Sequence, residues 1–83
     1  MFLTEVKNGA KTVVGAKQTL KIIVAGEAKI VAVALDANSK VREPLEAACA
    51  ERGIPCERIA TMVELGKACG INVGAATAVI LKS

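Results

Sequence analysis

The sequence predicts a three-layer α/β domain, with helices on both sides of a mostly parallel or mixed sheet of about four strands. Three observations carry this. The chain has 83 residues, enough for one core and too few for two. Helical patterns alternate along it with short β-branched runs. Apolar residues make up 53% but Phe2 is the only aromatic, so Val, Ile, Leu and Ala must build the core.

Each element follows in order. Residues 3 to 9 fit a short helix stopped at Gly9. Thr12-Val13-Val14 reads as a brief strand. Gly15 opens a helical stretch to about Ala25, and Gly26 ends it. Ala16, Leu20, Ile23 and Val24 fall at i, i+4, i+7 and i+8, which predicts that they form its buried stripe. Lys17 and Lys21 are then neighbours on the exposed side, with Gln18 close by. Ile22 points away from the stripe, without a packing reason. Lys29 to Leu35 reads as a buried strand, short, apolar and β-branched. Asp36 to Ser39 is a polar turn.

A helix follows to about Arg52, with Val41, Leu45, Ala48 and Cys49 facing inward. Pro44 should lie near its first turn, because an interior proline loses a hydrogen bond and clashes. Gly53 suits a helix stop. Cys56 to Ala60 reads as a strand. Thr61-Met62-Val63-Glu64 fits a capping box and starts a short helix ending at Gly70. Ile71 to Gly74 is a loop, and Ala75 to Leu81 is the last strand. No linker, low-complexity segment or repeat interrupts residues 1–83, which read as a single domain.

Composition excludes several function classes. Without histidine there is no histidine general base and no histidine metal site. With one aromatic there is no base-stacking platform. No apolar run approaches the ~20 residues of a membrane span. No basic region precedes a long apolar one, so no secretion signal or membrane association is expected. Three cysteines, at 49, 56 and 69, are an odd number, and suit reduced thiols in a cytoplasmic setting.

Their spacing gives no metal motif, and a buried small hydrophobe is the simplest role for each. Gly9 and Gly15 are separated by five residues and followed by Ala16-Lys17, so the phosphate-loop pattern fails. Gly66, Gly70 and Gly74 do not make a dinucleotide pattern; Gly66 fits close packing and Gly70 a helix cap. Asp36, after a strand, is the one carboxylate placed where α/β enzymes keep catalytic groups, yet a turn or helix-capping role is the simpler one. No catalytic residue, cofactor or metal is expected.

The net charge is +3, and its distribution is uneven. Residues 6 to 26 hold Lys7, Lys11, Lys17 and Lys21 and no acid. Within them, Val13 to Lys21 places a glycine between a strand and a helix. Such a helix start turns its amides and dipole toward an anion. Lys17 and Lys21 could reach phosphates, and Gln18 could read a base edge. A solvated helix face explains the same charges equally well.

This segment resembles a known family. Gly15-x-Lys17-Gln18-Thr19-x-Lys21 is similar to the RNA-contacting signature of the kink-turn-binding ribosomal proteins of the L-seven-Ae type, and most similar to their short bacterial YbxF/YlxQ-like members. The likeness continues through Gly26 to Val31, through Cys49 to Pro55 and through Leu65 to Gly70, from about residue 5 to 81.

The resemblance implies an α-β-α sandwich with a small mixed sheet, no catalysis, and a monomer. It implies a structured RNA partner carrying a kink-turn, in ribosomal RNA or a riboswitch, and association with the ribosome. Kink-turns are duplexes bent at a bulge followed by tandem sheared G·A pairs. Gly15 and Ala16 would admit the RNA backbone. Lys17, Gln18 and Lys21 would contact guanines and phosphates, and Asp36 would stand at what remains of the family's acidic pair. The loop Ile71, Asn72, Val73, Gly74 and Ala75 would pack against bulged nucleotides.

Lys7, Lys11 and Lys29 could add phosphate contacts. Lys17 and Gln18 replace the Asn and Glu of the archaeal pattern and match the bacterial branch. Asn72 and Gly74 replace the loop's usual Glu and Pro, which should loosen it. The competing expectation is a ribosome-associated interaction module with only non-specific RNA affinity, using Ile22 and Ile71 to Val73. A small enzyme with a cysteine or Asp36 nucleophile is a third.

Overall fold

A computed structural model describes residues 1–82; Ser83, the end of the expected domain, lies outside the described residues. The elements run α1 (Phe2–Lys7), β1 (Thr12–Val14), α2 (Ala16–Val24), β2 (Ala28–Ala34), α3 (Ser39–Arg52), β3 (Cys56–Ile59), α4 (Met62–Ala68) and β4 (Thr77–Leu81). The alternation matches the sequence reading, with ends shifted by one or two residues. Ala75 and Ala76 precede the last strand rather than opening it.

The four strands form one sheet in the order β1-β4-β2-β3. β4 runs antiparallel to both β1 and β2, and β3 runs parallel to β2, so the sheet is mixed. The last strand of the chain thus fills the centre. Alternation along β2 splits the core into two layers. Ile30, Ala32 and Ala34 face Phe2 of α1 and Leu65 of α4, together with Ala78 and Ile80 of β4. Val31 and Val33 face Ile23 of α2 and Leu45 and Cys49 of α3, with Val79. The alanines on the first face leave room for Phe2 and Leu65, both fully buried.

Two expectations are corrected. Pro44 lies inside α3, as its sixth residue, not in the first turn. Its ring nitrogen cannot donate to the Lys40 carbonyl, and Lys40 is an exposed residue. The buried stripe of α2 is also different. Thr19 and Ile23 are fully buried, with Ala16 and Ile22 packed against the α3 layer. Leu20 is 41% exposed and Val24 59% exposed. The face that meets the sheet is therefore rotated by about one residue from the most apolar one.

Burying Thr19 has a cost. Its hydroxyl is buried with no hydrogen-bond partner among the described residues. An unpaired buried polar group costs about 1–3 kcal/mol. Thr19→Val keeps the shape and removes the hydroxyl. Its urea-unfolding stability is expected to match or exceed that of the parent by about 1 kcal/mol. A loss of similar size would show that the hydroxyl is bonded in solution.

Candidate nucleic-acid interface

The candidate site begins where β1 passes into α2. Val14 pairs with Ala78. Gly15 carries the ladder one residue further, its N–H donating to the Thr77 carbonyl at 3.1 Å. Its φ of 118° and ψ of 140° are a backbone conformation that residues with a Cβ avoid. The Gly15 carbonyl then accepts from the Thr19 N–H at 2.9 Å, closing the first turn of α2. The chain turns from strand to helix within one residue.

The start of α2 is left open. No side chain caps it, and its first turn holds no acid. The first N–H groups of any helix lack intrahelical partners, and the helix dipole concentrates positive potential there. Lys17, Gln18 and Lys21 are all exposed beside this end. Lys17 and Lys21 border a shallow apolar depression made by Leu20 and Val24.

The other helices starting at this end of the sheet are capped. Asn38 caps α3, its side-chain oxygen accepting from the Lys40 N–H at 2.8 Å. Thr61 caps α4 through the Glu64 N–H at 3.1 Å, the first half of the expected capping box. Asp36 adds a second cap from outside that helix, its Oδ1 accepting from the Met62 N–H at 2.8 Å. Asp36 is thus a helix-capping residue, and it ties the end of β2 to the start of α4.

The loop after α4 packs back on that helix. The Ile71 N–H donates to the Gly66 carbonyl and the Ala75 N–H to the Met62 carbonyl, both at 3.0 Å. The expected loosening by Asn72 and Gly74 meets these two anchors. A Cβ on Gly66 would overlap the Val73 carbonyl oxygen, so glycine is what lets the loop lie so close. Ile71 packs against the core and Ala75 is buried within it. That leaves Asn72, Val73 and Gly74 facing solvent, with Val73 71% exposed.

Backbone pairing brings these parts together. Gly15 bonds to Thr77, the Ala34 N–H donates to the Ala76 carbonyl at 2.9 Å, and Asp36 follows at the end of β2. Gly15 to Gln18, Asp36 and the 71–75 loop therefore share one end of the sheet. Leu35 and Val63, 44% and 58% exposed, add apolar surface there. The sequence reading missed both, because a strand end and a capped first turn carry no periodicity signal. Lys11 and Lys29 lie elsewhere, at the start of β1 and near the start of β2, the opposite end of the sheet.

Other chemistry is poorly served. Burial pushes the Cys49 thiol up to about 12, with Cys56 and Glu46 adding to the effect. Burial likewise raises Cys56 and Cys69. A neutral buried thiol is a poor nucleophile and a poor metal ligand. Among the described residues no three carboxylates or thiols cluster to hold a metal, and no helix is long and apolar enough to cross a membrane.

Comparison with known proteins identifies the family. The model of the ribosomal protein L7Ae/L30e/S12e/Gadd45 family matches residues 2–83. The chain belongs to that family. It is 52% identical over 68 residues to an RNA-binding protein of Caldanaerobacter subterraneus, covering 82% of this chain and 83% of that one. It is 42% identical over 82 residues to the RNA-binding protein YbxF of Geobacillus stearothermophilus, covering 99% of this chain and all (100%) of that one. Among solved structures, the Giardia lamblia 15.5kD RNA binding protein superposes with a TM-score of 0.84 at 30% identity, over 98% of this chain and 68% of that one. The open α2 start thus lies in a chain of the L7Ae family.

The loop's dependence on Gly66 can be tested. Gly66→Ala should gain helix propensity of about 1 kcal/mol. The clash with the Val73 carbonyl should outweigh it, for a net loss of about 1–3 kcal/mol and shifted amide resonances from Ile71 to Ala75. Full stability with unmoved loop resonances would contradict the close packing.

Proposed function

We propose that this protein binds RNA, and that the structure it recognises and stabilises is a kink-turn. The observation that carries the reading is the uncapped start of α2, with Lys17, Gln18 and Lys21 exposed around it. RNA-binding relatives matching nearly the whole chain support the class of partner.

The mechanism follows from RNA geometry. An A-form major groove is too narrow for side chains to read. A sharp bend with sheared G·A pairs opens it. The start of α2 then enters, its free N–H groups and dipole facing phosphate oxygens. Gly15 adds no Cβ at the point of closest approach. The Gln18 amide both donates and accepts at a guanine edge. Lys17 and Lys21 contact guanine acceptors and phosphates. Val73 offers the apolar surface against which a bulged nucleotide rests, while buried Ala75 and half-buried Ile71 support the loop from behind.

The protein would shift the RNA from extended to bent by its higher affinity for the bent form. No covalent chemistry is part of this role. Asp36 acts by holding α4 and the loop beside α2. The same motif in ribosomal RNA or in a riboswitch would serve as target, and a monomer suffices. The interaction-module reading loses the larger part of its apolar surface, because Ile22 and Ile71 both pack inward and leave Asn72 and Val73 exposed.

Titration against two short RNA duplexes tests the proposal at ~150 mM salt, where the Debye length is about 8 Å. One duplex carries a bulge and tandem G·A pairs; in the other, Watson–Crick pairs replace them. Preference for the first by ~10³-fold or more is expected. Equal, salt-sensitive binding to both would overturn it and favour a non-specific basic face.

A further inference from the structure

The end of the sheet opposite α2's start holds a second cluster of lysines. Lys11, Lys29 and Lys82 line one cavity of about 460 Å³ between α1 and the ends of β1, β2 and β4. We propose that this cavity is a second binding site, one that takes a nucleotide by its phosphate. The inference goes beyond the kink-turn reading and does not rest on it.

The site is organised by backbone. Ala28 pairs with Leu81 and Ile30 with Ile80, so Lys29 is an extra residue in the ladder, a β-bulge. The bulge reverses the alternation of β2. Ala28 belongs to the α2–α3 layer and Ile30 to the α1–α4 layer. Lys29 is turned to the α1 side, where its ammonium meets the Glu5 carboxylate. Bulges recur where a side chain must be re-aimed for function. The neighbouring backbones are fixed as well. The Leu81 N–H donates to the Lys11 carbonyl at 3.1 Å, and the Lys82 N–H to the Glu27 carbonyl at 2.9 Å.

Charge and shape point to a phosphorylated, partly apolar ligand. Among the described residues Glu5 is the one acid on the cavity wall, and it is shared between Lys29 and the Met1 ammonium, 3.9 Å away. Lys11 and Lys82 make no ion pair among the described residues. A phosphate would draw on both and compete with Glu5 for Lys29. Ala10 and Leu81, half-buried, supply an apolar floor for a base or sugar. The volume lies within the roughly 300–1,000 Å³ range of small-ligand sites. The nucleotide could be free or belong to an RNA strand, and the two sources are separable.

The test is a titration of the ¹⁵N-labelled full chain with adenosine monophosphate, adenosine, and a single-stranded uridine hexanucleotide that cannot form a kink-turn. Adenosine monophosphate should move the amide resonances of Gly9 to Lys11 and of Leu81 and Lys82 saturably, and adenosine should not. Lys11→Ala with Lys82→Ala should weaken this by about tenfold. Glu5→Gln, which frees Lys29 without removing a lysine, should strengthen it.

Saturable shifts at the same amides with the hexanucleotide alone would identify an RNA strand as the source. Shifts with the mononucleotide alone would identify a free nucleotide. The proposal is overturned if neither probe gives saturable shifts there, or if the double variant binds unchanged. Since these residues lie apart from α2, loss of this site leaves kink-turn affinity as a separate readout.

Discussion

The central position of β4 is the constraint on which the rest depends. It is the last strand in sequence, yet it pairs with β1 on one side and β2 on the other. Its register against β1 sets where Gly15 meets Thr77, and so where α2 begins. Its register against β2 sets where Ala76 meets Ala34, and so where the preceding loop ends. The open helix start and the exposed loop tip are two consequences of one strand's placement. This pairing joins residues far apart in sequence, so the site is expected to complete only late in folding, when the long loops have closed.

The helix ends show how a stable fold can leave one group unsatisfied. An N-cap is worth about 1 kcal/mol. Asn38 caps α3, and Thr61 and Asp36 cap α4. α2 has only Gly15, whose conformation suits the turn and whose missing side chain leaves the amides uncovered. An anion supplied from outside would provide what Asn38 and Asp36 provide elsewhere. That sets the α2 start apart from its neighbours in the proposed role, although all three begin near the same sheet end.

Much of this was legible in the sequence, for local reasons. Gly53 ends α3, Thr61 caps α4 and Gly66 packs closely, because each signal depends on a few adjacent residues. The short apolar, β-branched run of β2 was equally clear. Strand order was not, since no local pattern says that β4 pairs with both β1 and β2. The buried face of α2 was misread because Leu20 and Val24 make the more apolar stripe, whereas the sheet receives Thr19 and Ile23. Over nine residues, periodicity alone discriminates poorly between stripes one position apart. Lys17 and Lys21 could be paired on one helix, but the other lysines could not be placed relative to them. Lys17 and Lys21 stand at one end of the sheet, and Lys11 and Lys29 at the other, separated by strands that rise about 3.3 Å per residue.

The proposed role of α2 is tested most directly by measuring how Lys17→Ala, Gln18→Ala and Lys21→Ala each change affinity for a kink-turn duplex across a salt series. All three side chains are exposed, so the fold should tolerate their loss. Each substitution is expected to weaken binding, by about 1–3 kcal/mol for Gln18 as a base-reading residue. Removing a lysine that contacts phosphate should also flatten the salt dependence by nearly one unit of slope, while Gln18→Ala leaves the slope unchanged. Unaltered affinity in all three variants would contradict the assignment of this helix start as the RNA-binding element.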